Sequence, residues 1–260
     1  MVTSALKADV SWDYTEHASH YDKRADYSGA AIDELLEALG CTPAVPVADV
    51  GAGTGKLTKE LLKRGLVVRS VEPNDAMRAV GIRNTTGGSV EWSRGTGEHT
   101  GLAARSVQAV FFGSSFNVVN QSLALTEAAR LLLPRGWFAC MWNHRDLSDP
   151  IQRQIESIIK SSIPAYSYGA RREDPTAAIN ASGLFSAVRT IVGNFSWDMP
   201  RDDIIEAWRS HATLRRQVGS DVEFQRIIDA IAQYLQTLPS TIAVPYTTRV
   251  FFSQSAPRLE

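Results

Sequence analysis

A glycine-rich turn between an apolar run and an amphipathic run places the strongest constraint on how this chain can fold. The run from Val45 to Val50 predicts a short buried strand, and Thr54 to Arg64 predicts a helix that Thr54 is suited to cap. The turn, Asp49 to Gly55, has a glycine at every second position from 51. Such spacing lets the backbone turn sharply and approach a ligand without interference from a Cβ atom. A strand, a glycine turn and a helix in this order predict a ligand-binding edge in an α/β sheet.

The rest of the chain repeats the alternation of strands and helices. Further strands are predicted at Leu66 to Glu72, Val90 to Ser93, Val107 to Gly113, Gly136 to Trp142, Phe185 to Trp197 and Ile242 to Ser253. Further helices are predicted at Ala30 to Leu39, Asn74 to Ile82, Gln121 to Leu133, Ile151 to Ile163, Asp202 to Leu214 and Val222 to Leu238. This order predicts an α/β fold with a doubly wound, mostly parallel sheet, and the late helices predict a cap over it.

Three classes of ligand use a glycine turn of this kind. A phosphate-binding P-loop requires a glycine at position 50 and a hydroxyl residue at position 57, where this chain has Val50 and Leu57. A dinucleotide-binding turn favours a small residue at position 56, so Lys56 weakens that interpretation without excluding it. The third class is an adenosyl group without phosphate. Glu72 supports it, because a carboxylate at the end of the second strand can accept both ribose hydroxyls, although the same placement would serve NAD.

Several ordered motifs resemble those of class I S-adenosylmethionine-dependent methyltransferases, and in particular a bacterial small-molecule subgroup. The stretches VADVGAGTGKLTKELLKRG and SVEPNDAM are similar to motif I and to the acidic motif that follows it. Residues 95–98, 107–117 and 131–136 resemble the later motifs in the same order. The end of the fifth strand and the late segment from Pro245 to Val250 resemble the subgroup, so the resemblance covers nearly the whole chain.

The resemblance implies S-adenosylmethionine as the cofactor, a Rossmann-like sheet of seven strands, and roles for matching residues. The glycine turn would approach the amino acid part of the cofactor, Glu72 its ribose and Met77 its adenine. Arg24 would pair with its carboxylate, in an N-terminal segment with Tyr21 and Tyr27 that closes over the cofactor. The cofactor-binding residues implied are Tyr21, Arg24, Gly51, Ala52, Gly53, Gly55, Glu72, Pro73, Met77, Thr96, Gly97, Glu98 and Ser114.

The acceptor side departs from the family pattern. Related proteins often have a His-Trp pair just after the fourth strand, where this chain reads Ser114-Ser115-Phe116-Asn117. The residues expected to contact substrate are Tyr14, Phe116, Asn117, Trp142, Asn143 and Trp208. Transfer to an oxygen or nitrogen acceptor can require a base that removes its proton. His144 is a candidate because it follows the fifth strand at the carboxyl edge, and His17 and His20 on the N-terminal segment are two more.

These assignments predict an enzyme that transfers a methyl group to a small, partly apolar metabolite, such as a natural-product intermediate, at an oxygen, nitrogen or carbon atom. Its main task would be to place the acceptor in line with the sulfonium methyl group in a site closed to water. One alternative is a methyltransferase-fold protein used for scaffolding or for a non-methylating reaction such as cyclisation, which the absent His-Trp pair keeps open. The other is an NAD-dependent oxidoreductase, which Lys56 and the later motifs disfavour.

The expected organisation is one integrated domain with three parts. Residues 1–40 would form the N-terminal helical segment that closes over the cofactor, and residues 41–146 the Rossmann-like core that binds it. Residues 147–258 would supply the remaining strands and the helical cap.

Composition limits the compartment and the partners. A formal net charge of -1, without a long run of Lys and Arg, argues against binding nucleic acid or an anionic membrane. Cys41 and Cys140 suggest neither a disulfide framework nor a zinc cluster, and no carboxylate cluster that would favour a metal ion is evident. The N-terminus lacks a signal-peptide pattern and no stretch approaches a membrane span, so a cytoplasmic protein is expected. The sequence makes no prediction of the oligomeric state.

Overall fold

A computed structural model of the chain describes residues 24–168 and 172–257. The first half of this range contains α1 (Gly29–Leu39), β1 (Val47–Val50), α2 (Lys56–Lys63), β2 (Val68–Val71), α3 (Asp75–Asn84), β3 (Val90–Ser93), β4 (Val107–Gly113), α4 (Gln121–Leu131) and β5 (Leu132–Arg145). The second half contains α5 (Pro150–Ser162), α6 (Thr176–Ala181), β6 (Arg189–Pro200), α7 (Arg201–Arg209), α8 (Ala212–Gln217), α9 (Asp221–Gln236) and β7 (Thr241–Gln254).

The seven strands form one sheet in the order β3-β2-β1-β4-β5-β7-β6. Strands β1 to β5 pair in parallel, and β7 runs antiparallel to both β5 and β6. The chain moves outward from β1 through β2 to β3 and then returns to β4 on the other side of β1, so the strand order reverses beside β1. Such a reversal leaves a crevice at the carboxyl ends of the strands. The prediction of an α/β fold with a mostly parallel seven-stranded sheet is confirmed.

Apolar layers cover both faces of the sheet, and a third apolar cluster lies in the cap. Helices α1 and α2 pack on one face, with Ile32, Leu35 and Leu61 fully buried against Phe111 and Met141. Helix α4 packs on the other face, where the buried side chains include Leu125, Phe112, Phe116 and Phe138. In the cap, helices α5, α7 and α9 bury Ile159, Trp208 and Ile228 against Val244 and Tyr246 of β7.

The ends of several elements differ from the sequence prediction. The prediction that Thr54 caps α2 is wrong, because Gly55 is the N-cap residue, with φ at 82°, and no side chain caps the helix. The predicted helix from Asp202 to Leu214 is two helices, and His211 caps the second by accepting a hydrogen bond from the Leu214 amide at 3.2 Å. The short helix α6 was not predicted.

Strand β5 is longer at both ends than its apolar run predicts. It begins at Leu132, which pairs with Val107 of β4, and it continues to Arg145, which pairs with Tyr246 of β7. The ladder between β6 and β7 extends as far as the pair Pro200 and Thr241. These long strands carry the sheet beyond the crevice and provide the surface on which the cap helices pack.

Candidate active site

A cavity of about 600 Å³ lies at the carboxyl ends of the parallel strands. One part of its wall, called here the turn side, comes from residues 49–54, 56–57, 72–74, 77 and 96–98. Another part, called the cap side, comes from residues 142–145 of β5, from 168 and 172, and from Ala207, His211 and Tyr246. Since ligands of open α/β sheets bind in this crevice, the cavity is the candidate active site.

The glycine turn forms the floor of the turn side. Gly51 and Gly53 both have positive φ angles, at 68° and 58°, which other residues adopt only with strain. A Cβ atom on Gly51 would lie 2.6 Å from Cβ of Ser115, which is too close for two carbon atoms. Gly55 is not in the cavity wall, and a Cβ there would instead lie 3.3 Å from Thr85 and Trp92. Two of the three glycines therefore bring the backbone to the cavity surface.

Glu72 joins the end of β2 to the glycine turn. Its Oε2 atom accepts a hydrogen bond from the Gly53 amide and its Oε1 atom accepts one from the Asn74 amide, both at 2.9 Å. Burial raises the pKa of the Glu72 carboxyl, while these two backbone hydrogen bonds act to lower it. The carboxylate therefore fixes the turn and also forms part of the cavity wall.

Two buried polar atoms beside the turn have no hydrogen-bond partner among the described residues. They are Oδ1 of Asp49 and Oγ1 of Thr54, and both residues are in the cavity wall. The other carboxylate oxygen of Asp49 accepts a hydrogen bond from Oγ1 of Thr58 at 2.7 Å. Burial raises the pKa of Asp49 to about 7. Because buried polar groups are normally paired, these atoms fit a site whose polar ligand completes the hydrogen bonding.

The loop after β3 supplies Thr96 to Glu98 to the turn side and is held by hydrogen bonds to carboxylates. The amide and the hydroxyl of Thr100 both donate to Oε1 of Glu127, at 2.9 and 2.5 Å. Burial of Glu127 acts to raise its pKa, but hydrogen bonds from Arg130 and Thr100 hold that pKa down to about 2. Oε1 of Glu98 accepts from the Asn120 amide at 2.7 Å. The loop is therefore tied to α4 from two directions.

Residues 24–28 are fastened across the carboxyl end of the sheet. Nδ2 of Asn143 donates to the carbonyl oxygen of Asp26 at 2.8 Å, and the Ser28 amide donates to Oγ1 of Thr248 at 2.8 Å. The hydroxyls of Tyr27 and Ser114 lie 3.1 Å apart, and Ser114 has a positive φ of 59°. These contacts place Tyr27 and Ser114 together in the cavity wall.

Arg24 is also in the wall, and one of its terminal nitrogens donates to the carbonyl oxygen of Ser210 at 2.8 Å. Its pairing with a cofactor carboxylate remains a prediction. Four residues predicted to belong to the site lie outside the described residues; they are Tyr14, His17, His20 and Tyr21.

The remaining predicted cofactor residues and part of the predicted substrate set lie around the cavity. The wall contains Ala52, Pro73, Met77, Gly97, Trp142, Asn143 and His144. Phe116 does not line it, because this side chain is fully buried and packs against Phe112 and Phe138 at centroid distances of 5.4 and 5.2 Å.

Two further predicted substrate residues support the wall from behind. Asn117 accepts a hydrogen bond from Nε1 of Trp142 at 2.9 Å. Trp208 is almost fully buried, with its ring 4.8 Å from that of His211 and 4.6 Å from the guanidinium carbon of Arg145. Neither residue lines the cavity itself.

The cap side includes wall residues that the sequence did not assign to the site, namely Arg145, Tyr168, Arg172 and Tyr246. The position of Arg145 immediately after His144, and that of Tyr246 inside the late motif, were the available signals. Within the described ranges, no three His, Cys, Asp or Glu side chains form a group that could hold a metal ion. In the same ranges, no helix is long and apolar enough to cross a membrane.

A doubly wound sheet with a glycine turn, a strand-end carboxylate and a cavity at the carboxyl edge defines an α/β protein of the Rossmann-like class. The sequence adds a more specific likeness, because residues 48–140 match the family model described as "Methyltransferase domain". This match agrees with the resemblance of the motifs to class I S-adenosylmethionine-dependent methyltransferases.

Relatives resemble the chain in sequence, and solved structures resemble it in fold. An uncharacterized methyltransferase of Mycobacterium tuberculosis is 38% identical over 154 residues, which are 59% of this chain and 61% of that protein. The YcgJ protein of Bacillus subtilis has a TM-score of 0.54 at 14% identity, covering 88% of this chain and 99% of that one. A Haemonchus contortus phosphoethanolamine N-methyltransferase 2, solved with S-adenosyl-L-methionine, has a TM-score of 0.52 at 14% identity. The match covers 96% of this chain and 59% of that one. The last two likenesses concern the fold.

Proposed function

We propose that this protein binds S-adenosylmethionine on the turn side of the cavity and transfers its methyl group to a small molecule held on the cap side. The observation that carries the proposal is the continuity of one cavity wall. It joins the glycine turn, Glu72 and the loop at Thr96 to Glu98 with the aromatic and polar residues beneath the cap. A cofactor and an acceptor can therefore share one space, as group transfer requires.

The turn side fits the parts of the cofactor. The Glu72 carboxylate has lone pairs for the ribose hydroxyls, and the almost fully buried Met77 offers an apolar surface for adenine. The unpartnered Oδ1 of Asp49 and Oγ1 of Thr54 offer polar contacts to the amino acid part. When bound, S-adenosylmethionine supplies a methyl group already activated by the sulfonium. The chain then has to orient the acceptor and exclude water.

The cap side fits a small and partly apolar acceptor. A space of about 600 Å³ that must also hold the cofactor leaves room for an acceptor group the size of a small metabolite. Trp142, Tyr168 and Tyr246 contribute aromatic surface to the wall. Ser114 is held beside Tyr27 at the end of β4. In the sequence it comes after the turn-side residues and before the cap-side residues of β5. These features support a metabolite acceptor, for which a natural-product intermediate remains our proposal.

Binding and turnover test the proposal directly. We expect calorimetry to detect S-adenosylhomocysteine binding with a Kd in the micromolar range and no binding of NAD at the same concentrations. Incubation with S-adenosylmethionine labelled in its methyl group should then transfer the label to a component of a small-molecule extract. Binding of NAD, without binding of S-adenosylhomocysteine, would contradict the proposed cofactor. Binding without any label transfer would favour a non-methylating role.

His144 is the proposed general base for an oxygen or nitrogen acceptor. It lies in the cavity wall on β5, where pairing with Thr247 fixes its backbone. His144→Gln is expected to lower kcat by roughly 10²- to 10⁴-fold, the usual contribution of a positioned base, and to leave S-adenosylhomocysteine affinity unchanged. The measurement is kcat against pH for both proteins. An unchanged kcat and pH profile would remove His144 from the chemistry.

A further inference from the structure

Two arginines on the cap side form no ion pair with a described carboxylate. Arg145 ends β5, and Arg172 lies in the segment between α5 and α6. Both are partly buried and both are in the cavity wall. Among the described residues, no carboxylate lies within ion-pair distance of either, whereas Arg64, Arg78 and Arg130 each have one within 3 Å. Glu156 and Asp146 interact with Arg172 electrostatically from beyond that distance. A partly buried cation without a directly bonded counter-charge is costly, so the pair is suited to receive an anion.

Aromatic rings and single hydrogen bonds hold these two side chains in place. The guanidinium carbon of Arg145 lies 4.6 Å from the ring centroid of Trp208, and its Nε donates to the Tyr246 hydroxyl at 3.2 Å. Arg172 lies 4.8 Å from the ring centroid of Tyr168. One of its terminal nitrogens donates to the carbonyl oxygen of Arg145 at 2.7 Å.

This arrangement orients each guanidinium and leaves most of its donors available. A guanidinium has five N–H donors. The terminal nitrogens of Arg145 make no hydrogen bond to any described residue, since only its Nε is engaged. A pre-oriented fork of this kind matches the planar, two-oxygen geometry of a carboxylate or the oxygens of a phosphate.

Charge is segregated along the cavity wall. The acidic residues Asp49, Glu72 and Glu98 all lie on the turn side, whereas Arg145 and Arg172 lie on the cap side. The wall residue Lys56 is already paired with Asp26 at 2.8 Å. A ligand on the cap side therefore meets a positive field, although the whole chain has a formal net charge of -1.

We infer that the methyl acceptor carries an anionic group, a carboxylate or a phosphate, which Arg145 and Arg172 bind on the cap side. The inference rests on the proposed function and makes its acceptor more specific. The apolar body of the acceptor packs beside Trp142 and Tyr168, and the anion orients it toward the turn side. Arg145 and Arg172 act as binding and specificity-determining residues and take no part in proton transfer.

The test uses three probes with the same ring and different charge: benzoate, phenyl phosphate and neutral benzamide. Each is titrated by calorimetry into full-length protein saturated with S-adenosylhomocysteine. At least one anion should bind about tenfold or more tightly than benzamide, because a charge-assisted hydrogen bond is worth about that ratio. The stronger of the two anions identifies the group. Equal affinity for all three probes would overturn the inference.

Variants connect the binding to the two side chains. Arg145→Gln and Arg172→Gln should each weaken the preferred anion about tenfold or more and leave benzamide unaffected. Arg145→Lys keeps the positive charge but loses the forked donors of the guanidinium. Its affinity for the preferred anion should lie between those of the wild type and Arg145→Gln. The matched control is Arg189→Gln, because Arg189 also stacks on a ring, at 4.7 Å from Phe252, but is not in the cavity wall. Wild-type anion affinity in both glutamine variants would contradict the assignment.

Cofactor binding separates this inference from the proposed function. Arg145→Gln and Arg172→Gln should bind S-adenosylhomocysteine as the wild type does, which also reports that they are folded. Weaker binding of that compound, with normal thermal unfolding, would assign the arginines to the cofactor carboxylate and overturn the inference. Failure of the wild type to bind it would refute the proposed function, and the probe titration into the protein alone would still test the anion site.

Discussion

Replacing Glu72 by alanine is expected to weaken S-adenosylhomocysteine binding by about 10- to 100-fold, because a hydrogen bond to a charged group contributes about 1.5–3 kcal/mol. The variant loses the carboxylate proposed to accept the ribose hydroxyls. It also removes the acceptor of the Gly53 and Asn74 amides, so the turn itself becomes less well fixed. Isothermal titration calorimetry at constant pH provides the measurement, with thermal unfolding recorded in parallel.

Glu91→Ala is the matched control for this experiment. Glu91 is a carboxylate on the adjacent strand β3, but its side chain is 81% exposed and it is not in the cavity wall. Within the described part of the chain, it forms one ion pair, a contact with Arg69 at 3.7 Å. We expect this variant to bind S-adenosylhomocysteine with the affinity of the wild type. Wild-type affinity in Glu72→Ala would show that the ribose assignment is wrong.

Gly51→Ala should have a comparably large effect through shape rather than charge. The new Cβ would meet Cβ of Ser115 at 2.6 Å, and Ser115 is held by a 2.7 Å hydrogen bond from its hydroxyl to the Val50 carbonyl. The backbone of the turn must therefore shift. We expect about 1–3 kcal/mol lower stability, the usual cost of overpacking, and at least tenfold weaker S-adenosylhomocysteine binding. Thermal or denaturant unfolding and calorimetry measure the two effects.

Two variants distinguish the steric effect from the strain of the φ angle. Gly65→Ala places an alanine at φ 77°, where a Cβ would have no atom within 4 Å. The variant should therefore lose only the small amount of stability that this backbone conformation costs, and it should bind S-adenosylhomocysteine normally. Combining Gly51→Ala with Ser115→Gly removes the opposing Cβ and should restore part of the binding. Equal losses in Gly51→Ala and Gly65→Ala would show that contact with Ser115 does not limit the turn.

The local sequence predicted the parts of the site that depend on short stretches of chain. The glycine turn, Glu72 and the loop at Thr96 to Glu98 each follow one strand directly, and parallel strands bring their carboxyl ends to one edge. These residues accordingly share the turn side of the cavity. The apolar runs also predicted how many strands there are and roughly where each lies along the chain. Among the parallel strands, β4 was clearest because a buried parallel strand is nearly continuous in apolar residues.

The parts that depended on distant contacts could not be predicted in the same way. Phe116 reads as a pocket residue because it follows β4, but its ring packs in an aromatic cluster with Phe112 and Phe138. In the sequence, Arg145 and Arg172 resemble surface arginines. They are also far apart along the chain, so their meeting was not predicted. They meet because pairing with β7 prolongs β5 beyond its apolar run and carries Arg145 under the cap.

Helix ends gave smaller errors with a similar origin. The run from Asp202 to Leu214 has a continuous helical pattern, yet it breaks at Ser210 and His211. His211 turns its ring onto Trp208, and its Nδ1 accepts from the Leu214 amide, so a tertiary contact and a cap act together. Periodicity records which positions are apolar and carries no information about such a cap.

The connection between β6 and β7 has a consequence for how acceptor preference can diversify. Residues 201–240 contain three of the cap helices, and the two ends of this segment lie side by side, since Pro200 pairs with Thr241 and the Arg201 amide donates to the Ser240 carbonyl at 2.9 Å. A segment whose ends are already adjacent can be lengthened, shortened or exchanged at little cost in chain entropy. The cap can therefore be treated as an exchangeable module, and transplanting it between relatives should change which molecules are accepted while the glycine turn is inherited intact.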